Sequence, residues 1–198
     1  MLLLGTMELL FIIGIPVLIL IILAVILIAI YNSLVVTEKQ VDNSWAQIDV
    51  QLKRRADLIP NLVETVKGYA KFEQRVLTEV TKARTAILSA KTPKDAAKGD
   101  NMLAGALKTI FAVAESYPAL KANESFLKIQ EELSSTENKV AFARQFYNDM
   151  VMKWNTMIAT FPTSIVAGMF GKKKDREFFE ANEAEKKNVK VDFSDLSK

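Results

Sequence analysis

Two arginines and an aspartate stand close together in "QLKRRADLIPNL", residues 51–62, beside the helix breaker Pro60. Arg54, Arg55 and Asp57 could bind an anion or a protein partner at a kink, and any enzymatic activity would rely on the same three side chains. Arg55 falls on an apolar stripe, so its charge needs a carboxylate from Asp57, Glu64, a neighbouring helix or another subunit. An internal ion pair that fixes helix register explains the motif better than a binding site does.

The composition excludes most other site chemistry. The 198 residues include no cysteine and no histidine, which removes thiolate nucleophiles, imidazole bases and the usual zinc ligands. The carboxylates of the first helical region include no close pair that would divide into acid and base, and "GMFGKKK", residues 168–174, lacks the spacing of a phosphate-binding loop. We therefore predict no catalytic, cofactor-binding or metal-ligating residues and no cofactor. The 26 Lys and Arg against 23 Asp and Glu also argue against a nucleic-acid partner.

A second candidate site combines apolar side chains with lysines near the C-terminus. Its members are Ile165, Val166, Met169, Phe170, Lys172, Lys173 and Lys174. Such a pairing could contact a membrane surface or a partner protein. The alternative is that the apolar residues close the open end of a helical bundle.

The N-terminal region predicts a membrane anchor. Residues 9–30 carry no charge and, at about 1.5 Å per residue, form a helix of about 33 Å, enough to cross a bilayer core of about 30 Å. A cleaved signal peptide would show a basic leader and a small-residue cleavage site, and neither is clear. Lys and Arg residues only follow the span, which weakly favours a cytoplasmic soluble domain. We expect a single-pass membrane protein.

Apolar residues at alternating spacings of three and four predict the helices that position these sites. The first stripe keeps one phase on both sides of Pro60 and comprises Val41, Trp45, Ile48, Leu52, Ile59, Leu62, Val66, Tyr69, Val76, Val80, Ala83 and Ile87. This continuity favours one helix over residues 33–90, about 87 Å long and kinked near Pro60. The alternative is a turn, with Pro60 in the first turn of a new helix.

Two further helices follow in the second half of the soluble part. "TPKDAAKGDN", residues 92–101, predicts a loop, with Asp100 or Asn101 capping a short helix over 101–116. Asn123 then begins a long helix that reaches residue 160. Its stripe comprises Phe126, Ile129, Leu133, Thr136, Val140, Ala143, Tyr147, Met150, Trp154, Met157 and Phe161.

These elements predict an all-α protein in which an N-terminal transmembrane helix precedes an elongated, antiparallel, four-helix-bundle-like domain. The expected division is a short tail at 1–8, the anchor at 9–30, the bundle at 31–161 and a C-terminal segment at 162–198. In that last segment we expect a short charged helix and an extended terminus that contains "NVKVDF", residues 188–193.

Several stretches in a fixed order resemble the LemA family of bacterial and archaeal membrane proteins. They are "YNSLV" (31–35), "VDNSWAQIDVQLKRRADLIPNLVETVKGYAKFE" (41–73), "ENKVAFARQFYNDMVMKWNT" (137–156), "FPTSIVAGMFG" (161–171), "FFEA" (178–181) and "VKVDF" (189–193). The resemblance spans nearly everything after the anchor. Val189 departs from the pattern, because the family often has proline there.

The resemblance implies a protein of the prokaryotic cell membrane, with a four-helix bundle behind an N-terminal anchor, and it favours a separate helix beginning at Pro60. It carries over no enzymatic activity and no catalytic residues. Some family members resemble lipoproteins whose bundles lie outside the cytoplasm, in conflict with the charge count here, so the side of the membrane stays open.

The sequence thus favours a non-enzymatic scaffold that self-associates at the membrane, with the lipid bilayer and further copies of the chain as partners. The alternative is a binding module that docks another envelope protein, such as a membrane protease.

Overall fold

The structure is a computed structural model that describes residues 2–68 and 74–180, with side chains from Phe11 onward. These ranges contain helices and no strand, so the predicted all-α class is confirmed. The helices are α1 (Leu2–Asp57), α2 (Ile59–Lys67), α3 (Gln74–Leu88), α4 (Pro93–Ala114), α5 (Pro118–Lys121), α6 (Glu124–Ala159) and α7 (Thr163–Met169). Residues 172–180 follow without regular secondary structure.

Helix α1 runs from the apolar N-terminal segment to Asp57 without a break, and it continues through Pro16. It is the one helix of the described ranges with the length and apolar composition of a membrane span, and its apolar side chains over residues 11–28 are exposed. A bilayer helix has this character, because lipid tails solvate the apolar side chains that water would not.

The chain divides into two compact units. Of the described residues, unit 1 contains 2–44 and 149–176. Its core forms where apolar side chains of α1, α6 and α7 are buried, among them Leu34, Val41, Trp154 and Ala167. Burial of such side chains stabilises a helix pair by roughly 1.5–3 kcal/mol for each large residue.

Of the described residues, unit 2 contains 45–68, 74–148 and 177–180, and its helices form a bundle. Within it α1 and α6 run antiparallel, because Trp45 lies against Tyr147 while Arg54, further along α1, reaches back to Glu132. Helix α3 packs along α4, and the ring of Phe111 on α4 meets that of Phe126 on α6. The buried stripe residues that belong to this unit, among them Ile48, Leu52 and Leu133, face this core.

The prediction of one helix over residues 33–90 is wrong. The Nε atom of Arg84 on α3 donates to the carbonyl oxygen of Ala56 on α1 at 3.1 Å. In a single straight helix these two residues would lie about 42 Å apart. Helix α3 therefore returns beside the end of α1 instead of continuing away from it. Tyr69, assigned to the same stripe, lies outside the described residues.

The interruption near Pro60 is a single residue, Leu58, whose backbone stays in the right-handed helical region (φ −76°, ψ −20°). One residue in that conformation does not reverse the chain, so the break is a kink rather than a hairpin turn. Pro60 occupies the first turn of α2, where its missing N–H does least harm. The missing N–H would otherwise have bonded to the Ala56 carbonyl, four residues back. Arg84 supplies the donor instead.

The predicted loop over residues 92–101 is also wrong, because α4 begins at Pro93. The hydroxyl of Thr92 accepts a hydrogen bond from the Asp95 N–H at 3.1 Å, and Pro93 fits the first turn. Gly99 stays inside the helix because α3 passes very close: a Cβ there would lie 2.9 Å from the Ile87 nitrogen. The glycine therefore marks a close helix contact and not a loop.

Helix α6 begins where the sequence predicts, with the Asn123 side chain accepting from the Phe126 N–H at 3.0 Å. Its stripe is buried or half-buried except at the end: Phe161 is 81% exposed, since α6 stops at Ala159. The charged helix predicted after residue 174 is not formed as far as Glu180, and "NVKVDF" lies outside the described residues.

Candidate functional site

The centre of unit 2 contains a buried charged cluster built on Arg55. This side chain leaves α1 toward the core and is only 2% exposed. Its Nη1 donates to Asp100 Oδ1 on α4 at 2.7 Å, and its Nη2 lies 3.5 Å from Glu137 Oε2 on α6. One guanidinium therefore ties α1 to two other helices in the geometry for which arginine is suited.

Burial raises the pKa of the Asp100 carboxyl above its ordinary value, while the charge and hydrogen bond of Arg55 oppose the rise. Arg144 also favours the ionised form, and Glu137 disfavours it. Desolvation is the larger effect because Asp100 is almost fully withdrawn from water. Glu137, by contrast, keeps most of its side chain in solvent.

Two buried atoms near this cluster have no hydrogen-bond partner within the described part of the chain. They are the Nε of Arg55 and the Oε1 of Gln51, which lies one helical turn earlier on α1. The cluster can fix the register of α1, α4 and α6, because sliding any one helix along the others would leave a buried charge without its partner. It does not offer an open anion site, since the guanidinium already faces two carboxylates.

The structure does not bring the four residues of the kink motif into one site. Arg54 points to the surface, where its Nη2 lies 3.3 Å from Glu132 Oε2. Asp57 is exposed at the end of α1, and Pro60 is exposed in the first turn of α2. Arg55 alone faces the core, so these side chains do not converge on a common substrate.

The apolar and basic segment near the C-terminus is divided by burial. Ile165, Met169 and Phe170 are exposed, whereas Val166 is buried and so unable to contact a partner. Lys172 forms an ion pair with Glu38 of α1, and Lys173 and Lys174 are exposed.

The residues after α7 show a feature that was not predicted from the sequence: α6 side chains form hydrogen bonds with the main chain of residues 172–180. In unit 1, Asn155 accepts from the Arg176 N–H at 2.9 Å and donates to the Arg176 carbonyl at 3.1 Å, while Trp154 donates to the Lys174 carbonyl. Arg176 itself lies near Glu38 and Asp42 of α1, at 3.5 and 3.2 Å.

In unit 2, Asn148 makes the same two-way contact with the N–H and carbonyl of Phe179, at 2.9 and 3.1 Å. The Tyr147 hydroxyl donates to the Glu177 carbonyl at 2.8 Å, and the Phe179 ring is buried. Asn148 and Asn155 stand seven residues apart, each directly after a buried aromatic of the stripe. That spacing was available as a signal in the sequence.

Asp100 and Glu137 were also missed as the partners of Arg55. Once α4 begins at Pro93, Asp100 falls on the face of Ala96, Leu103 and Leu107, where a carboxylate is out of place unless it is paired. Because residues 92–101 were predicted to form a loop, the sequence did not place Asp100 on this apolar face. Within the described residues, no group of three or more Asp and Glu is placed to hold a metal ion.

The LemA family model matches residues 44–193 of this chain, a range that includes the arginine cluster, α7 and the residues after it. The chain belongs to the LemA family. The resemblance drawn from the sequence is thereby confirmed. The match begins within α1, at Ser44, and includes residues of both units.

Curated proteins of three organisms are similar to this chain. Protein LemA of Metamycoplasma hominis is 28% identical, and the alignment covers 83% of this chain and 74% of that protein. Magnetosome protein MamQ 2 of Paramagnetospirillum magneticum is 23% identical, and magnetosome protein MamQ of Magnetospirillum gryphiswaldense is 21% identical. Each of these two alignments covers 76% of this chain but only 65% of the relative, so this chain spans slightly less than two thirds of their length.

Proposed function

We propose that this protein is a non-enzymatic scaffold that is anchored in the membrane by α1 and self-associates through its helical domain. The anchor is supported by the exposed apolar side chains of α1 and its capacity to cross a bilayer. A non-enzymatic role is supported by the divergent placement of Arg54, Arg55 and Asp57, of which Arg55 is consumed by internal ion pairs.

The observation that carries self-association is a pair of exposed aromatic side chains on α6. Phe142 is 74% exposed, and Phe146, one turn later, is also exposed. Adjacent exposed phenylalanines on one helix face are costly in water and typical of a protein interface. A second copy of the chain is the simplest occupant, because a symmetric dimer covers the same patch on both subunits.

The test is the mass of the full-length protein in detergent, measured by light scattering with the detergent contribution subtracted. Wild type should give a multiple of the 22.1 kDa chain. The double variant Phe142→Ser/Phe146→Ser should shift toward the single-chain mass while its helical circular dichroism is unchanged, since both side chains are exposed.

Leu127→Ser is the matched control. Leu127 is an exposed apolar residue of the same helix, about 22 Å from Phe142 along the axis. It should leave the mass unchanged. A wild-type protein that is a single chain at every concentration would refute self-association.

A second candidate function is a binding module for another envelope protein, such as a membrane protease. The observation that favours it is the two-way hydrogen bonding of Asn148 and Asn155 to main-chain atoms of residues 172–180. Contacts of this kind do not depend on the side chains of the bound segment, so they suit peptide recognition.

A further inference from the structure

We propose that α7 is a second membrane contact that rests its exposed apolar side in the interface of the bilayer beside α1. The surface concerned, the α7 patch, comprises Phe161, Ile165, Met169 and Phe170. The inference requires α1 to cross the membrane and is independent of self-association.

The position of the α7 patch follows from a ring contact in unit 1. The rings of Phe170 and Tyr31 lie 4.5 Å apart between centroids. Tyr31 directly follows the uncharged segment of residues 9–30 on the same helix. If that segment fills the hydrocarbon core, Phe170 lies where α1 leaves it, which is the level at which aromatic side chains gather in membrane proteins.

The two sides of α7 differ in burial, as expected for a helix at the membrane interface. Val166 and Ala167 are fully buried and attach α7 to unit 1. Ile165 and Met169, one turn apart, are exposed, and Met169 is 67% exposed. Phe161, just before α7, is still more exposed. An unpartnered apolar surface of this kind beside a bilayer is covered at least cost by lipid.

Lysines complete the arrangement. A Cβ on Gly168 would lie 2.8 Å from Lys173 Cε, so the glycine lets the aliphatic stem of that lysine lie along α7. Lys173 and Lys174 are exposed, whereas Lys172 is paired with Glu38. Lysines that bury their stems and leave their charges free are suited to lipid headgroups, and anionic lipids would strengthen the contact.

The test uses the full-length protein in nanodiscs and takes advantage of a chain without cysteine. Met169→Cys is labelled with an environment-sensitive fluorophore, and lipids brominated in the acyl chain serve as the quencher. We expect a blue-shifted emission and quenching severalfold stronger than at a labelled Met152→Cys. Circular dichroism checks that both variants fold.

Met152 is the matched control because it is an exposed methionine of the same unit, beside Lys153. Lys153 contacts Gln40, which lies about 14 Å beyond Tyr31 along α1. Equal quenching at positions 152 and 169 would overturn the proposal. A blue shift at 169 without quenching by lipid would overturn it too, because protein would then cover the patch. The mass measurement for self-association is unaffected by either result.

The lysine contribution is tested by replacing part of the zwitterionic lipid with phosphatidylglycerol. Quenching at labelled Met169→Cys should increase with anionic lipid, and the added change Lys173→Glu/Lys174→Glu should remove that increase. An increase that persists in the charge-reversed variant would refute the headgroup role of the two lysines.

Discussion

Arg55 is a buried charge whose two carboxylate partners lie on two other helices. Removing a charge from water is expensive, so an ion pair of this kind adds little net stability compared with apolar side chains of similar size. Losing one partner is different, because it leaves an uncompensated charge in the core of unit 2. We therefore expect a larger coupling energy between Asp100 and Arg55 than between a carboxylate and a lysine that are both exposed.

We expect the single variants Arg55→Met and Asp100→Leu each to lower the free energy of unfolding by about 3–5 kcal/mol. The double variant should lose much less than the sum, because no unpaired charge is left from this pair. Denaturation of the full-length protein in detergent, followed by circular dichroism, measures the coupling between the two sites.

The control is the exposed pair Lys53 and Asp49, which is joined at 2.6 Å on the surface of α1. Its coupling should be only about 0.3–0.5 kcal/mol despite the short distance, because water screens it. Additive losses at Arg55 and Asp100 would mean that Glu137 alone satisfies the guanidinium.

At the scale of the helices, the kink near Pro60 depends on a hydrogen-bond donor from a neighbouring helix. Pro60 leaves the Ala56 carbonyl without its helical partner, and Arg84 of α3 supplies a hydrogen bond at 3.1 Å. Arg84→Met should thus destabilise the protein by about 1–3 kcal/mol, the cost of an unsatisfied buried carbonyl. In a Pro60→Ala background the same change should cost much less, since the new N–H can bond to Ala56. A thermodynamic cycle of unfolding energies checks the difference.

Arg75→Met provides the comparison for the loss of an arginine from α3, since Arg75 is exposed and its ion pair among the described residues is with Glu79, one turn away. Its cost should be small and equal in both backgrounds. If Arg84→Met costs the same with proline or alanine at position 60, the hydrogen bond to Ala56 does not support the kink.

The helices themselves were largely predictable, because apolar spacing reports which face is buried. The spacing does not report whether the chain continues in one direction or turns back between two helices. Val76, Val80 and Ala83 continue the phase of the earlier stripe and are buried, yet they lie on a helix that returns beside α1. Gly99 misled for a related reason: glycine suggests a loop locally, and only the neighbouring α3 explains it inside a helix.

The site was predictable only in part. Arg55 stood out as a charge on an apolar stripe, but its partner Asp100 is 45 residues away and depends on how α4 packs. The hold of Asn148 and Asn155 on the later main chain has no local signature beyond their spacing, since an asparagine on a helix is usually solvated. Both the partner of Arg55 and the hydrogen bonds of the two asparagines depend on tertiary contacts.

At the scale of the whole molecule, the two proposed functions place different demands on residues 172–180. A scaffold needs them only as a segment that packs against α6. A binding module needs the α6 side chains to accept a similar segment from outside, in competition with the internal one. Because the internal segment is covalently attached, its effective concentration is high, and we expect an external peptide to bind wild type only weakly.

The competition gives a prediction that separates the two functions. A fluorescent peptide of residues 172–180 should bind full-length Phe179→Ala more tightly than wild type, because loss of the buried ring loosens the internal segment. Adding Asn148→Leu/Asn155→Leu should abolish binding, since the amides that contact the main chain are gone. Fluorescence anisotropy in detergent measures the affinities, and light scattering on the same samples checks that the mass does not change. Failure of Phe179→Ala to bind the peptide, or equal binding by the leucine variant, would exclude the binding module and leave the scaffold.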